Sequence, residues 1–247
     1  MPKVKKTKPM HKYIVPIALV ITACGPNHPA PVLQNGETTK SSIKAGQLHV
    51  QPELLESFTD SLNIGRKGRN KFELNRYTIT DSNYVIIRFS AKQNNKWIIK
   101  NEFHFPKDGF ADCDPQISDF NKDGLNDITY VSAVAARGAN EIRTLLIYNK
   151  KTDALVYIKN SANFPNMLYN QELNCIDALL VSGCNTTVFL KLEADSLRQF
   201  AGVDQCDSLV VSVYDKTGNR KVISKKPTDR DNFSRFKNYR PLKEYTY

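Results

Sequence analysis

The residues of this 247-residue chain best suited to chemistry lie in one run, Asp119-Phe120-Asn121-Lys122-Asp123-Gly124-Leu125-Asn126-Asp127. Side-chain oxygens stand at loop positions 1, 3, 5 and 9, and glycine stands at position 6. Calcium takes six to eight hard oxygen ligands at roughly 2.3–2.6 Å in a flexible shell. Alternate residues of a tight loop can turn such oxygens toward one centre, and Gly124 allows the sharp bend because it has no Cβ to clash at positive φ. The pattern therefore predicts a Ca²⁺ site built from Asp119, Asn121, Asp123, the Leu125 carbonyl and Asp127, the last acting directly or through water. Three carboxylates in so short a span repel one another, and a divalent cation removes that cost. Magnesium suits the set less well, because it demands octahedral geometry and keeps its waters. The plain alternative is an acidic surface turn, since Asp, Asn and Gly are common turn residues.

The elements around this run read as strands. Position 12 is Tyr130 rather than the bidentate Glu of an EF-hand, and Ile128–Val134 continues as a strand rather than an exit helix. The stretch resembles the DxNxDGxxD loop of FG-GAP and VCBS-type β-proteins, which implies a calcium loop between two strands. Strand patterns recur at Phe72–Thr80, Tyr84–Ser90, Lys96–Phe105, Asp127–Ala135, Ile142–Tyr148, Ala154–Ile158, Thr186–Leu192, Ser196–Ala201, Ser208–Tyr214 and Arg220–Ser224, separated by polar turns. Glu53–Asp60 reads as one short helix, and Cys175–Val181 as helix or strand. The fold class expected is all-β: an irregular antiparallel meander, propeller-like or a sandwich, with the calcium loop between strands. No strict repeat supports a ring of like blades.

Enzyme signatures are absent from the sequence. No GxSxG, HExxH or phosphate-binding loop occurs. His11 and His28 fall in the N-terminal segment, and neither His49 nor His104 has metal-ligand spacing. His104 alternates with Phe103 and Phe105, as a strand-face residue would. Asp112 and Asp114 flank Cys113 and form the sole carboxylate pair worth weighing for glycoside cleavage. Trp97 and the Tyr and Phe stripes read as core or cross-strand pairs rather than a sugar platform. The chain is read as no enzyme.

The N-terminus reads as an address. Five lysines and no acid precede the ten-residue apolar run Ile14–Ala23, which is too short to span a bilayer needing about 20 helical residues and has the length of a signal-peptide core. Ile21-Thr22-Ala23-Cys24 resembles a bacterial lipobox, which implies removal of residues 1–23 and acylation of Cys24. The alternative is plain secretion. Two or more acyl chains anchor stably, at ~0.8 kcal/mol per buried CH₂, without any transmembrane helix. Residues 24–50 are rich in Pro, Gly, Ser and Thr and read as a flexible tether. Residues 51–224 read as the β-rich domain and 225–247 as a basic tail. Without residues 1–23 the net charge of +10 falls to +5, and the tail carries +4 of it. The body is thus nearly neutral, which argues against a nucleic-acid-binding body. A solvated terminus and a contact with anionic envelope polymers are the two readings of the tail. Four cysteines besides Cys24, at positions 113, 175, 184 and 206, permit disulfides in an exported protein, with three possible full connectivities, and four free or half-buried thiols are the alternative. A Cys175–Cys184 bridge would require a bulge or turn between them, and no close pair marks a zinc site.

A lipobox, one calcium loop, the Gly-containing loop Ala136–Glu141 and a following hairpin resemble a family of small periplasmic lipoproteins. It includes immunity proteins that inhibit lysozyme-like effectors. The resemblance covers Ile117–Ile158, and no inhibitory motif can be carried over. It implies a lysozyme-like hydrolase as partner. Gly25 is not the acidic residue that by resemblance to enterobacterial lipoproteins would hold the protein at the inner membrane, and no acidic cluster of the kind used for surface export follows Cys24, so the expected place is the outer membrane, facing the periplasm. Arg137, Asn140, Glu141 and Arg143 are the candidate partner-binding residues: an ion beside a pre-ordered loop would lower the entropy lost on binding, and Arg137 or Arg143 would meet the paired carboxylates of a glycosidase cleft. The competing functions are a structural or adhesive envelope module that binds glycan or protein and, behind it, a carbohydrate-active enzyme.

Overall fold

The computed structural model describes residues 51–228 and 234–246. Cys24, expected to be lipidated, the apolar run and the expected tether lie outside the described residues, as do Asp229 and Asp231 of the tail. The described residues fall within one compact unit, Leu48–Tyr247, and the fold is all-β. Strands β1 (Glu53–Asp60), β2 (Asn70–Ile79), β3 (Ser82–Gln93) and β4 (Lys96–Lys107) form a four-stranded sheet in chain order. A second sheet contains β5 (Gln116–Ser118), β6 (Asp127–Ala135), β7 (Asn140–Asn149) and β8 (Ala154–Tyr157). A third, six-stranded sheet runs through β9 (Leu168–Asn170), β10 (Cys175–Val181), β11 (Asn185–Glu193), β12 (Ser196–Gln205), β13 (Ser208–Tyr214) and β14 (Arg220–Pro227). A two-stranded ribbon, β15 (Phe236–Tyr239) and β16 (Leu242–Glu244), completes the set. All strand pairs are antiparallel, so each sheet is a meander of hairpins rather than a closed barrel.

Three buried clusters fill the spaces. Phe72, Val85, Ile87 and Phe89 of the first sheet meet Ile128, Tyr130 and Tyr148 of the second. Leu145 and Ile147 of the second sheet meet Ile176, Val188 and Leu190 of the third. Phe189, Val203 and Val211 of the third sheet are capped by Phe236 of the terminal ribbon. Strand β7 thus serves two cores at once, as a continuous run of buried residues from Arg143 to Tyr148 allows.

One local expectation is corrected and two open alternatives are decided. Glu53–Asp60 is a strand rather than a helix: its lower half alternates exposed and half-buried residues at period two, and pairing with β2 supplies its backbone hydrogen bonds. Cys175–Val181 takes the strand alternative and pairs on both sides. The disulfide joins Cys184 to Cys206, with Cα atoms 4.9 Å apart, while Cys113 and Cys175 are buried free thiols. A Cys175–Cys184 bridge fails because extended β10 separates the two, whereas Cys184 and Cys206 flank the β11–β12 hairpin and meet at its open end.

Within the basic tail, Arg235, Phe236 and Asn238 are packed rather than solvated. Arg235 and Phe236 are 6% and 2% exposed. The Arg235 guanidinium donates to the fully buried Asp177 carboxylate through Nε at 2.7 Å and through Nη2, and Nη2 also donates to the Asp177 carbonyl. Asn170 Nδ2 and the Tyr245 hydroxyl donate to the other Asp177 oxygen, at 2.8 and 2.6 Å. One buried carboxylate therefore ties β9, β10 and both ends of the terminal ribbon together.

Candidate functional site

The run Asp119–Asp127 links β5 to β6, as the oxygen-donor loop requires. Its side-chain oxygens curl inward and accept from the loop's own amides. Asp119 accepts from the Asp123 and Gly124 N–H groups, Asn121 from Asp123 N–H at 2.9 Å, and Asp123 from Leu125 N–H at 3.0 Å. Lys122 at φ 55° and Gly124 at φ 86° take the left-handed turns that produce this curl. Among the described residues no group of three or more His, Cys, Asp or Glu side chains is drawn together as a metal cage.

Asp127 plays a second part. It is fully buried, and its two oxygens accept from the Phe120 amide at 2.9 Å and the Tyr148 amide at 2.8 Å. The carboxylate thereby pins both ends of the loop and fastens it to β7. Burial pushes the Asp127 carboxyl up to about 7, the two amides pull it back down, and the negative charges of Asp119 and Asp123 add to the rise. Behind the loop, Gly65 N–H donates to the Asn126 carbonyl at 3.1 Å, and the Asn126 amide donates to the Asn63 carbonyl at 3.0 Å. The β1–β2 connection is itself capped by Asp60, whose Oδ1 accepts from the amides of Leu62, Asn63 and Ile64. The donor chemistry suits a hard cation, because the carboxylate and amide oxygens retain lone pairs beyond those that the amides occupy.

The four candidate partner-binding residues separate into different roles. Arg143 is 2% exposed and saturated from within: it donates to Glu141 and Asp114 carboxylates, each at 2.5 Å, and to the Asp114 carbonyl. It is an internal strut, not a group that meets a partner's cleft. Glu141 is its counter-charge. Asn140 exchanges two hydrogen bonds with the Val181 backbone, both 2.9 Å, and so staples β7 to β10. Arg137 alone stands exposed. It lies in a tight turn, Ala136–Gly138, in which Ala136, Arg137 and Gly138 all have positive φ, at 50°, 57° and 93°. Asn166 holds the base of this turn. Its amide donates to the carbonyls of Ala139 and Leu179, and its Oδ1 accepts from Glu141 N–H. Sequence reading grouped these residues by proximity along the chain, whereas Asn166 arrives from a different connection and had no local signal.

The Asp112–Asp114 pair is engaged elsewhere. Asp112 lies 3.4 Å from Arg76, and Asp114 accepts from Arg143. Arg76 and Lys107, both buried, donate to the carbonyls of Gly109 and Ala111 and so hold the connection before β5. That connection presents Phe110 at 92% exposure beside an open groove of about 900 Å³, lined also by Tyr84, Ile86 and His104. Tyr84 stacks on Tyr77 across β2 and β3, with ring centroids 5.5 Å apart. His104 sits exposed on the outer face of β4, 3.0 Å from Glu102.

No protein-family model matches the chain, and no curated protein matches it. Among solved structures it is similar to one described as a Xanthomonas type IV secretion system related protein, at 9% sequence identity and a TM-score of 0.42, over 70% of this chain and 99% of that one. A likeness at that level carries no argument about activity or partner.

Proposed function

We propose that this chain is a membrane-tethered, calcium-stabilised, non-catalytic protein of the cell envelope, anchored through Cys24 at the outer membrane and facing the periplasm, whose Ala136–Ala139 turn engages a peptidoglycan hydrolase of the lysozyme-like class. One observation supports the reading most: a protruding turn whose two non-glycine residues are held left-handed, each at a cost of about 1–2 kcal/mol, and whose base is stapled by Asn140 and Asn166. Strain of this kind persists only where the surroundings over-determine it, and it gathers at recognition sites. A turn already fixed loses little entropy on docking. With Arg143 committed inside, Arg137 is the cation left to meet a carboxylate-lined cleft. The purified protein should slow peptidoglycan lysis by a lysozyme-like hydrolase, and Arg137→Ala should remove most of that effect while leaving the thermal melt unchanged. A broad panel of hydrolases that is left unslowed sinks the proposal.

Asp119, Asn121, Asp123, the Leu125 carbonyl and Asp127 would hold the calcium. Bound there, the ion supplies positive charge against three carboxylates and stiffens the β5–β6 connection. Calcium should raise the melting temperature following RT ln(1 + [L]/Kd), which is about 2.7 kcal/mol at a hundredfold excess over Kd. Asp123→Ala should abolish the rise. A melt indifferent to calcium and chelator, in the unsubstituted protein, removes the ion from the proposal.

A second reading, a glycan-binding envelope module, is favoured by the exposed Phe110 and its aromatic groove. It predicts an unaffected hydrolase panel and leaves the Arg137 turn without a role.

A further inference from the structure

One edge of the described residues is rich in positive charge. Residues 216–228 and 234–243 contain nine Lys or Arg and no acid. Three of these are paired: Arg220 with Asp204, Arg235 with Asp177, and Lys243 with Glu172. The other six, Lys216, Lys221, Lys225, Lys226, Lys237 and Arg240, make no ion pair among the described residues. Strand β14 is the outer strand of the six-stranded sheet, and seven of its eight residues are exposed. It carries Lys221, Lys225 and Lys226 together with Val222 and Ile223, which are 50% and 38% exposed. The terminal ribbon lies beside it. A cavity of about 370 Å³ is lined by Ile223 and Lys226 from β14 and by Tyr239, Arg240, Pro241 and Leu242 from the ribbon. Cations and exposed aliphatic side chains therefore share one edge of the fold, with Ile223, Lys226, Arg240 and Leu242 around the cavity.

We infer that this edge is a docking surface for an anionic phospholipid bilayer, additional to any acyl chain on Cys24. Lysine and arginine near a surface of anionic lipid each contribute about 1 kcal/mol, acting within a Debye length. Aliphatic side chains between them enter the headgroup boundary and add apolar burial. A soluble polyanion would satisfy the cations but leave Val222, Ile223 and Leu242 in water, so the mixed surface favours a lipid bilayer. Lysines on an edge strand also discourage strand-to-strand aggregation, but that role requires neither the cationic cavity nor the aliphatic pair.

The test is co-sedimentation of the full chain with phosphatidylcholine vesicles and with phosphatidylcholine–phosphatidylglycerol vesicles. The five N-terminal lysines and the apolar run are common to every protein compared, so differences report on the edge. Lys221→Glu, Lys225→Glu and Lys226→Glu combined should lower partitioning onto the anionic vesicles on the order of a hundredfold at low salt, with little change on zwitterionic ones. Val222→Ser with Leu242→Ser should lower it several-fold and leave binding to polyglutamate unchanged. Thermal melts of both variants identify any loss of fold. Equal partitioning of the charge-reversed and unsubstituted proteins overturns the inference. Binding to polyglutamate without binding to anionic vesicles overturns it as well. So does a charge-reversed protein whose only change is self-association. None of these outcomes bears on the Arg137 turn.

Discussion

Asp177→Ala should destabilise the fold by about 3–5 kcal/mol, the range for removing one partner of a buried ion pair. The reason is geometric. Asp177 is fully buried and accepts from Arg235, Asn170 and Tyr245. Its loss removes the counter-charge of a guanidinium that is 6% exposed, and takes one acceptor from the Asn170 amide, which keeps the Lys237 carbonyl, and one from the Tyr245 hydroxyl. For a domain of this size each kcal/mol moves the midpoint by about 2–4 °C, so the melt should fall by about 6–20 °C. Asp177→Leu combined with Arg235→Leu should cost less than Asp177→Ala alone, because no buried charge is then left unpaired. A double variant as damaged as the single one, or a single variant within 1 °C of the parent, contradicts this account of the terminal ribbon.

Reduction of Cys184–Cys206 should cost about 3 kcal/mol, the loop-entropy value for a closure of the observed 22 residues. Urea unfolding with and without reductant measures it. The same samples separate the two kinds of cysteine. Burial, reinforced by the charges of Glu56 beside Cys113 and Asp177 beside Cys175, pushes both free thiols up to about 12. The reactive thiolate is then negligible at neutral pH. Alkylation of the native reduced protein should mark Cys184 and Cys206 and spare Cys113 and Cys175 until denaturant is added. Labelling of the latter pair at the native rate would mean that their cores open far more readily than their packing implies.

The long strands were legible because they carry β-branched and aromatic residues between turn signals. Asp127–Ala135 and Ser208–Tyr214 fall where the pattern put them, and the polar turn between β3 and β4 is made by Asn94 and Asn95, both at positive φ. The short or polar strands were not. Glu53–Asp60 is rich in helix-tolerant residues and becomes a strand only because β2 offers it an edge. Strands β15 and β16 sit in a stretch whose cations suggested solvent, and the buried acid that receives Arg235 lies 58 residues away. The oxygen-donor loop was placed correctly between two strands, but the clamp that Asp127 applies to Phe120 and Tyr148 could not be read from spacing alone. Arg143 shows the same limit: its place in the sequence marks it as available to a partner, and only the fold reveals Asp114 and Glu141 paired with it.

The short bridge between Ile64 and Asn126 gears two sheets together. Gly65 has φ of 65°, and a Cβ added there would lie 2.8 Å from Asn70 Oδ1 and 3.1 Å from the Tyr148 ring. Tyr148 is the residue whose amide grips Asp127. A single methyl group on the β1–β2 connection would therefore press, through one tyrosine, on a loop that lies some sixty positions later in the chain. The shape of that loop belongs as much to the start of the domain as to its own nine residues.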